Sequence, residues 1–118
     1  MRHIIMGFFW QGEEIRVYLY KFVGEIEIEN DGKFQGCITD EYGGANIKGQ
    51  IQDAVLEFTK KYWPESRGGS EHTILYRLSS QNNDAKKIFH NGWRGSYKIL
   101  SGDENDHGEA SCMIFPRS

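Results

Sequence analysis

Between Phe34 and Ile51 the stretch FQGCITDEYGGANIKGQI alternates with the two-residue period of a β-strand, yet it places glycine at Gly36 and Gly49. A strand gains from a side chain at such positions. Gly24 repeats the pattern, so glycine recurs 12 and 13 residues apart, inside or at the end of successive strand-like runs. A strand-interior glycine weakens a flat sheet but serves where the sheet bends sharply or where a large ring lies across the backbone. Its repetition from run to run predicts an all-β fold whose sheet closes on itself, a small antiparallel up-and-down β-barrel. An open sheet or sandwich is the alternative.

Turn signals cut the rest of the chain into short runs. Residues 3–10 form an apolar opening run; residues 15–20 put Ile15, Val17 and Leu19 on one face; residues 25–29, EIEIE, alternate strictly. Asn30, Asp31 and Gly32 tolerate positive φ and predict a hairpin turn. Strands over 33–40 and 45–52 follow, joined by EYGG, with a further turn near Asp53. Residues 55–63 read as a strand rather than a short helix because of their Phe, Thr and Tyr, with Leu56, Phe58, Lys60 and Tyr62 on the inner face. After a loop over 64–71 come strands at 73–79, at 86–99 with a kink at Gly92 or Gly95, and at 110–115. The expected total is about eight strands in a single domain over residues 1–118, since no linker or low-complexity tract divides the chain.

Bulk properties narrow the partners. A chain of 118 residues buries one sizeable core without staples, and its seven Phe, six Tyr and three Trp are spread along it. The formal charge of −3 concentrates neither sign, so nucleic acid is not an expected partner. The cluster Asp103, Glu104, Asp106 and Glu109 reads as a solvated loop. Cys37 and Cys112 are too few for a disulfide framework and lack metal spacing; two free, half-buried thiols fit a reducing compartment, although neighbouring strands would let them pair. The apolar run IIMGFFW is too short to span a membrane, and QGEE after it is no signal-peptide cleavage site. A cytoplasmic protein is expected.

The succession FQGCITDEYGGANIKGQI, LEFTKKYW, TILYRL, IFHNGWRGSYKI and ASCMIF resembles a short calycin-type barrel, the lipocalin and avidin group, over residues 34–115. The resemblance lies in strand rhythm and in the placement of glycine and aromatic residues. The lipocalin Gly-x-Trp signature is displaced here: Gly7 is followed by Phe8, Phe9 and only then Trp10, while Gly92–Trp93 falls near the chain's end. What the resemblance implies is an architecture and a ligand cavity, without transferring a binding residue.

Catalytic and metal motifs are missing from the sequence. His3, His72, His90 and His107 form neither a His-x-His nor an HExxH pair, and no Gly-x-Ser-x-Gly elbow occurs. RGGS at 67–70 reads as a flexible loop rather than a phosphate cradle. DENDHG at 103–108 lacks a calcium loop's bidentate Glu, whose position Ile114 occupies. Haem held by His90 or His107 is disfavoured against an ordinary hydrogen-bonded histidine, so no cofactor is expected. Asp40, Glu41 and Tyr42 have acid–base chemistry but read as an exposed turn. The remaining candidates are rings on neighbouring late strands, Phe58, Tyr62, Tyr76, Trp93 and Tyr97, with Arg77 or Arg94 at the mouth as an anion partner. Such rings either line a cavity or fill it. The leading expectation is a barrel that binds a small apolar or amphipathic molecule inside. Behind it stand an interaction module that uses its outer face or a sheet edge, and last a barrel-scaffold isomerase or hydrolase.

Overall fold

A computed structural model of the chain describes residues 1–11, 19–67, 72–80, 92–100 and 107–117. Eight strands form: β1 (Arg2–Trp10), β2 (Tyr20–Ile28), β3 (Lys33–Asp40), β4 (Gly43–Gln52), β5 (Val55–Tyr62), β6 (Ile74–Ser80), β7 (Gly92–Ile99) and β8 (His107–Pro116). Each is antiparallel to the next, and β1 closes the sheet against β8 in an up-and-down barrel. Following paired residues once around the barrel returns to β1 displaced by about ten positions. A stagger of that size tilts the strands by roughly 40° to the barrel axis.

Closure explains the glycines. At Gly24 an added Cβ would stand 1.9 Å from the Cys37 carbonyl oxygen and 2.6 Å from the Ile38 Cα, both on β3. Gly7, Gly36, Gly49 and Gly95 meet a neighbouring carbonyl in the same way. The registers arrange the first four in a diagonal: Gly7 faces Phe22, Gly24 faces Ile38, and Gly36 faces Ile47, each two residues from the next glycine. The backbone is therefore bare along one arc of the interior, where neighbouring strands are pressed together. Rings on both sides of the glycine diagonal fill the barrel. Phe58 and Tyr76 stack at 4.6 Å between centroids, Phe34 packs edge-on against Phe58, and all three are buried.

The inner face expected for β5 is the one observed: Leu56, Phe58, Lys60 and Tyr62 are all buried. Two expectations need correction. The strand expected over 25–29 begins at Tyr20 and runs unbroken to Ile28 as β2, because Phe22, Gly24 and Ile26 share inner parity and the strand passes straight through Gly24; residues 15–18 of the run expected at 15–20 lie outside the described ones. β8 starts at His107, three residues before the expected Ala110, because Gly108 continues the inward alternation and lets the Tyr97 ring lie against the backbone. The part of the expected 86–99 strand before Gly92 lies outside the described residues. Cys37 is exposed and Cys112 buried, on strands that are not neighbours, so both are free and neither is half-buried.

The hairpins follow local chemistry. Gly32 takes φ +91° in the β2–β3 turn, where Asp31 Oδ1 accepts the Lys33 N–H at 3.0 Å. Asp53 and Ala54 form the two-residue β4–β5 turn with φ of 52° and 62°. Left-handed backbone at both central positions is the geometry that suits Asn-Gly, and alanine adopts it at a cost of roughly 1–2 kcal/mol.

Two outcomes follow from these backbone positions. Ala54→Gly raises stability by about 0.5–1 kcal/mol in chemical denaturation, the relieved strain exceeding the added unfolded-state entropy. Gly24→Ala lowers stability by about 3 kcal/mol or prevents folding, since it overpacks against backbone, whereas Gly92→Ala, with open space around it, changes stability by less than about 0.5 kcal/mol. Equal effects of the two glycine substitutions would contradict closure by bare backbone.

Candidate functional site

One end of the barrel collects the last residues of β1, β3 and β5 and the first of β2, β4 and β6, and the alternation of each strand dictates what points inward there. Lys60 is the unexpected member. Its place between Phe58 and Tyr62 in an alternating strand sends its amine into the barrel, and its side chain has no exposed surface. Such a charge requires a buried counter-ion. Asp40 supplies it, because inner parity in β3 runs through Phe34, Gly36 and Ile38 to Asp40 at the strand's end.

The geometry is a closed ring of hydrogen bonds. Lys60 Nζ donates to Asp40 Oδ2 at 3.1 Å and to Tyr62 Oη at 2.9 Å, while Tyr62 Oη donates to the same carboxylate oxygen at 2.6 Å. Asp40 Oδ1 accepts the Tyr42 backbone N–H at 2.8 Å. Both carboxylate oxygens are thus used, and the Asp40 side chain is as fully enclosed as that of Lys60. The ammonium also lies against ring faces, 4.3 Å from the Phe9 centroid and 5.2 Å from that of Tyr76. β3 and β5 are not adjacent, so the pair ties them together across β4, where Ala45 leaves room beside Tyr62.

Half-buried rings stand above the cluster. Tyr20 stacks on Phe9 at 5.0 Å, Tyr42 lies 5.3 Å from Tyr20 and 6.1 Å from Tyr62, and Tyr97 meets Phe9 edge-on. Burial pulls the Lys60 amine below its ordinary value, with Asp40 opposing through charge and hydrogen bonding. The phenols move the other way. Burial and then Asp40 drive Tyr62 far up, and burial first and the Tyr97 charge second raise Tyr76. Burial also raises Tyr97, and Tyr42 is pushed up to about 12 by its hydrogen bond with Tyr20 and then by burial. An amine without exposed surface meets no substrate. The chemistry this arrangement performs is therefore cohesion, and removing one partner of such a pair costs about 3–5 kcal/mol.

The rings expected to line a cavity are brought together, but as filling. Phe58 and Tyr76 are buried and stacked in the core, Tyr62 belongs to the Lys60 ring, and Tyr97 and Trp93 face inward from β7, half-buried. Arg77 and Arg94 do not stand at the mouth. Each alternates outward, Arg77 lying 3.8 Å from Glu57 and Arg94 over the Trp10 ring. His107 is exposed at the start of β8, His90 lies outside the described residues, and so do Asp103, Glu104 and Asp106 of the acidic cluster. Glu109 accepts the Trp10 Nε1–H at 3.1 Å. Among the described residues no group of three or more His, Cys, Asp and Glu is spaced to hold a metal ion, and no helix is long and apolar enough to cross a membrane.

A second site lies outside. The register sets Met113, Met6, Val23 and Thr39 in one row across β8, β1, β2 and β3, with Phe8 beside Met6 on the same outer face. These side chains border a groove of about 670 Å³. Met6, Phe8, Val23 and Met113 are between 39% and 48% exposed. The apolar run over residues 3–10 held the signal for this face. In an alternating strand, an apolar run presents Ile4, Met6, Phe8 and Trp10 outward as surely as it presents Ile5 and Phe9 inward.

The shifted groups set the alkaline behaviour. A phenol whose folded pKa exceeds its unfolded value contributes stability that is fully present below the unfolded value, about 10, and is lost as pH rises past it. Lys60 has the opposite sign, adding stability as pH rises toward its unfolded value of about 10.4. Four phenols outweigh one amine, so stability falls above about pH 10. In a phenolate absorbance titration these four of the six tyrosines stay protonated until the β-sheet circular dichroism collapses and then ionise with it. Ionisation of all six near pH 10 in a folded protein would overturn the buried arrangement.

No protein-family model, curated protein or solved structure matches this chain.

Proposed function

We propose that this chain is a non-catalytic binding barrel of calycin-like architecture, and that it recognises an apolar partner surface through the outer wall of β8, β1 and β2. The observation that carries this reading is the distribution of apolar side chains on the outside. Among the described residues, each exposed large apolar side chain that lies in a strand, Met6, Phe8, Val23 or Met113, belongs to these three strands. The outer faces of β4 to β7 carry mainly polar side chains, Lys48, Gln50, Glu57, Thr59, Lys61, Arg77, Arg94 and Lys98, with Val55 and Leu75 half-buried among them. Scattered exposed apolar residues need no explanation; a contiguous patch with a groove marks a recognition face.

Eight-stranded up-and-down closure is the architecture of lipocalins and streptavidin, which supports the calycin comparison. A ligand inside the barrel is what that comparison implies. The stacked Phe58–Tyr76 pair and Phe34 are packed and buried in the interior that such a ligand needs, so the outer groove is the better-supported site. Catalysis gains no support from the Lys60 cluster, whose amine is sealed.

Binding of the neutral dye Nile red to dilute protein tests the reading. At about 0.1 µM the native protein enhances the dye's fluorescence, and Met6→Glu weakens the dye's apparent affinity by about ten-fold, because a carboxylate in the groove resists desolvation. Lys61→Glu on the opposite wall leaves it unchanged. Dye binding that ignores Met6→Glu removes this wall as the recognition face.

A further inference from the structure

Resting on that recognition face, we infer that its occupant is a second copy of this chain, the two barrels packing β8–β1–β2 wall to wall about a two-fold axis. The patch is continuous. Ile4 pairs with Phe115, Met6 with Met113 and Val23, and Phe8 lies one outward step further along β1. Three strands about 4.8 Å apart and nine residues at about 3.4 Å each make a face on the order of 15 × 30 Å. With a rim one side chain deep, that reaches the roughly 800 Å² per partner of a stable dimer.

Charge selects a second copy over a partner of one sign. A two-fold axis sets a rim against itself, so a rim of one sign repels its own copy. Lys21 borders the groove opposite Phe8, and the rest of the rim is compensated within each barrel. Arg117 pairs with Glu25 at 2.8 Å, the N-terminal ammonium with Glu27 at 2.8 Å, and Trp10 bridges Glu109 and Arg94 at the other end. The opposite wall lacks this balance, for Lys48, Lys61, Arg77 and Lys98 face Glu57 there, and it would repel a copy. Met6 and Met113 suit a self-matching contact because their unbranched chains can interdigitate with their own images.

Analytical ultracentrifugation from about 0.1 to about 100 µM, run in parallel with Nile red fluorescence, tests the inference. The native chain passes from monomer to dimer over this range, and the dye is released as the dimer forms. Met6→Glu and Val23→Glu remain monomeric at the top concentration with unchanged β-sheet circular dichroism, while Lys61→Glu dimerises as the native chain does. Dimerisation persists in about 1 M salt, as expected of an apolar contact with an internally paired rim. A native chain that stays monomeric at about 100 µM and keeps its dye removes the second copy but leaves the recognition face standing. A dimer that survives Met6→Glu and Val23→Glu, or one broken equally by Lys61→Glu, assigns the contact to another wall and overturns the inference. Absence of both dye binding and dimer at every concentration removes the face itself.

Discussion

The interior of an eight-stranded barrel has room for side chains and little else, and this chain meets that limit by leaving one arc of its wall bare. Gly7, Gly24, Gly36 and Gly49 step along a diagonal, each with a neighbouring carbonyl where its Cβ would be. Only a backbone without side chains lets strands coil so closely there. The space inside is then filled by rings, Phe58 and Tyr76 from β5 and β6 and Phe34 from beside Gly36 on β3 among them. Large residues on both arcs would overfill the barrel; small residues on both would leave it hollow and poorly stabilised. Curvature and packing are therefore one constraint, written as glycine on four consecutive strands and as aromatics that flank those glycines and continue on the strands that follow.

Lys60 becomes intelligible within that packing. A barrel end cannot be capped by rings alone, because the strand ends there must leave the sheet with their polar groups satisfied. Asp40 does this for the β3–β4 turn by accepting the Tyr42 N–H, and its second oxygen then needs donors. Lys60 and the Tyr62 hydroxyl provide them from β5, two strands away. The ammonium, with rings on several sides, is held by cation–π contact as well as by its ion pair. The ring of bonds fixes the turn, the capping tyrosines and the spacing of three strands together. A hydrophobic replacement would leave the turn's carboxylate buried without its charge partner.

Much of this was legible in the sequence, and the exceptions have physical reasons. Alternation over residues 33–40, 45–52 and 55–63, with glycine on the inner parity, was enough to predict a closed antiparallel sheet and the inner face of β5. The same parity put Lys60 inside, but Asp40 was read as part of an exposed turn, whereas its side chain is enclosed at an inward strand end; the pair is hidden from the sequence because the residues lie twenty positions apart on non-adjacent strands. Only the stagger of the barrel brings them together. Arg77 was expected at the mouth, but it follows the inward Tyr76 in an alternating strand, and that adjacency is the reason it points outward. The boundary within β2 was misjudged because Gly24 reads as a strand end in isolation and as a bend once the sheet closes.

The outer wall raises a separate question of stability. Folding needs β1 to be apolar on one side only, since Ile5 and Phe9 already supply its share of the core. Its outward Ile4, Met6 and Phe8 add nothing to that core and leave apolar area in water at about 25 cal/mol per Å². β1 is also the strand whose pairing with β8 spans the chain, Ile5 against Ile114, whereas every other pairing is between consecutive strands. Until that pairing forms, β1 is an open edge with two apolar faces, the kind of strand that seeks another chain. Closure against β8 satisfies the edge but not the outer face. A chain that merely had to fold would gain by making positions 4, 6 and 8 polar, as it does at the corresponding positions of β4 and β7, so the apolar outer face points to a requirement that lies outside the single barrel.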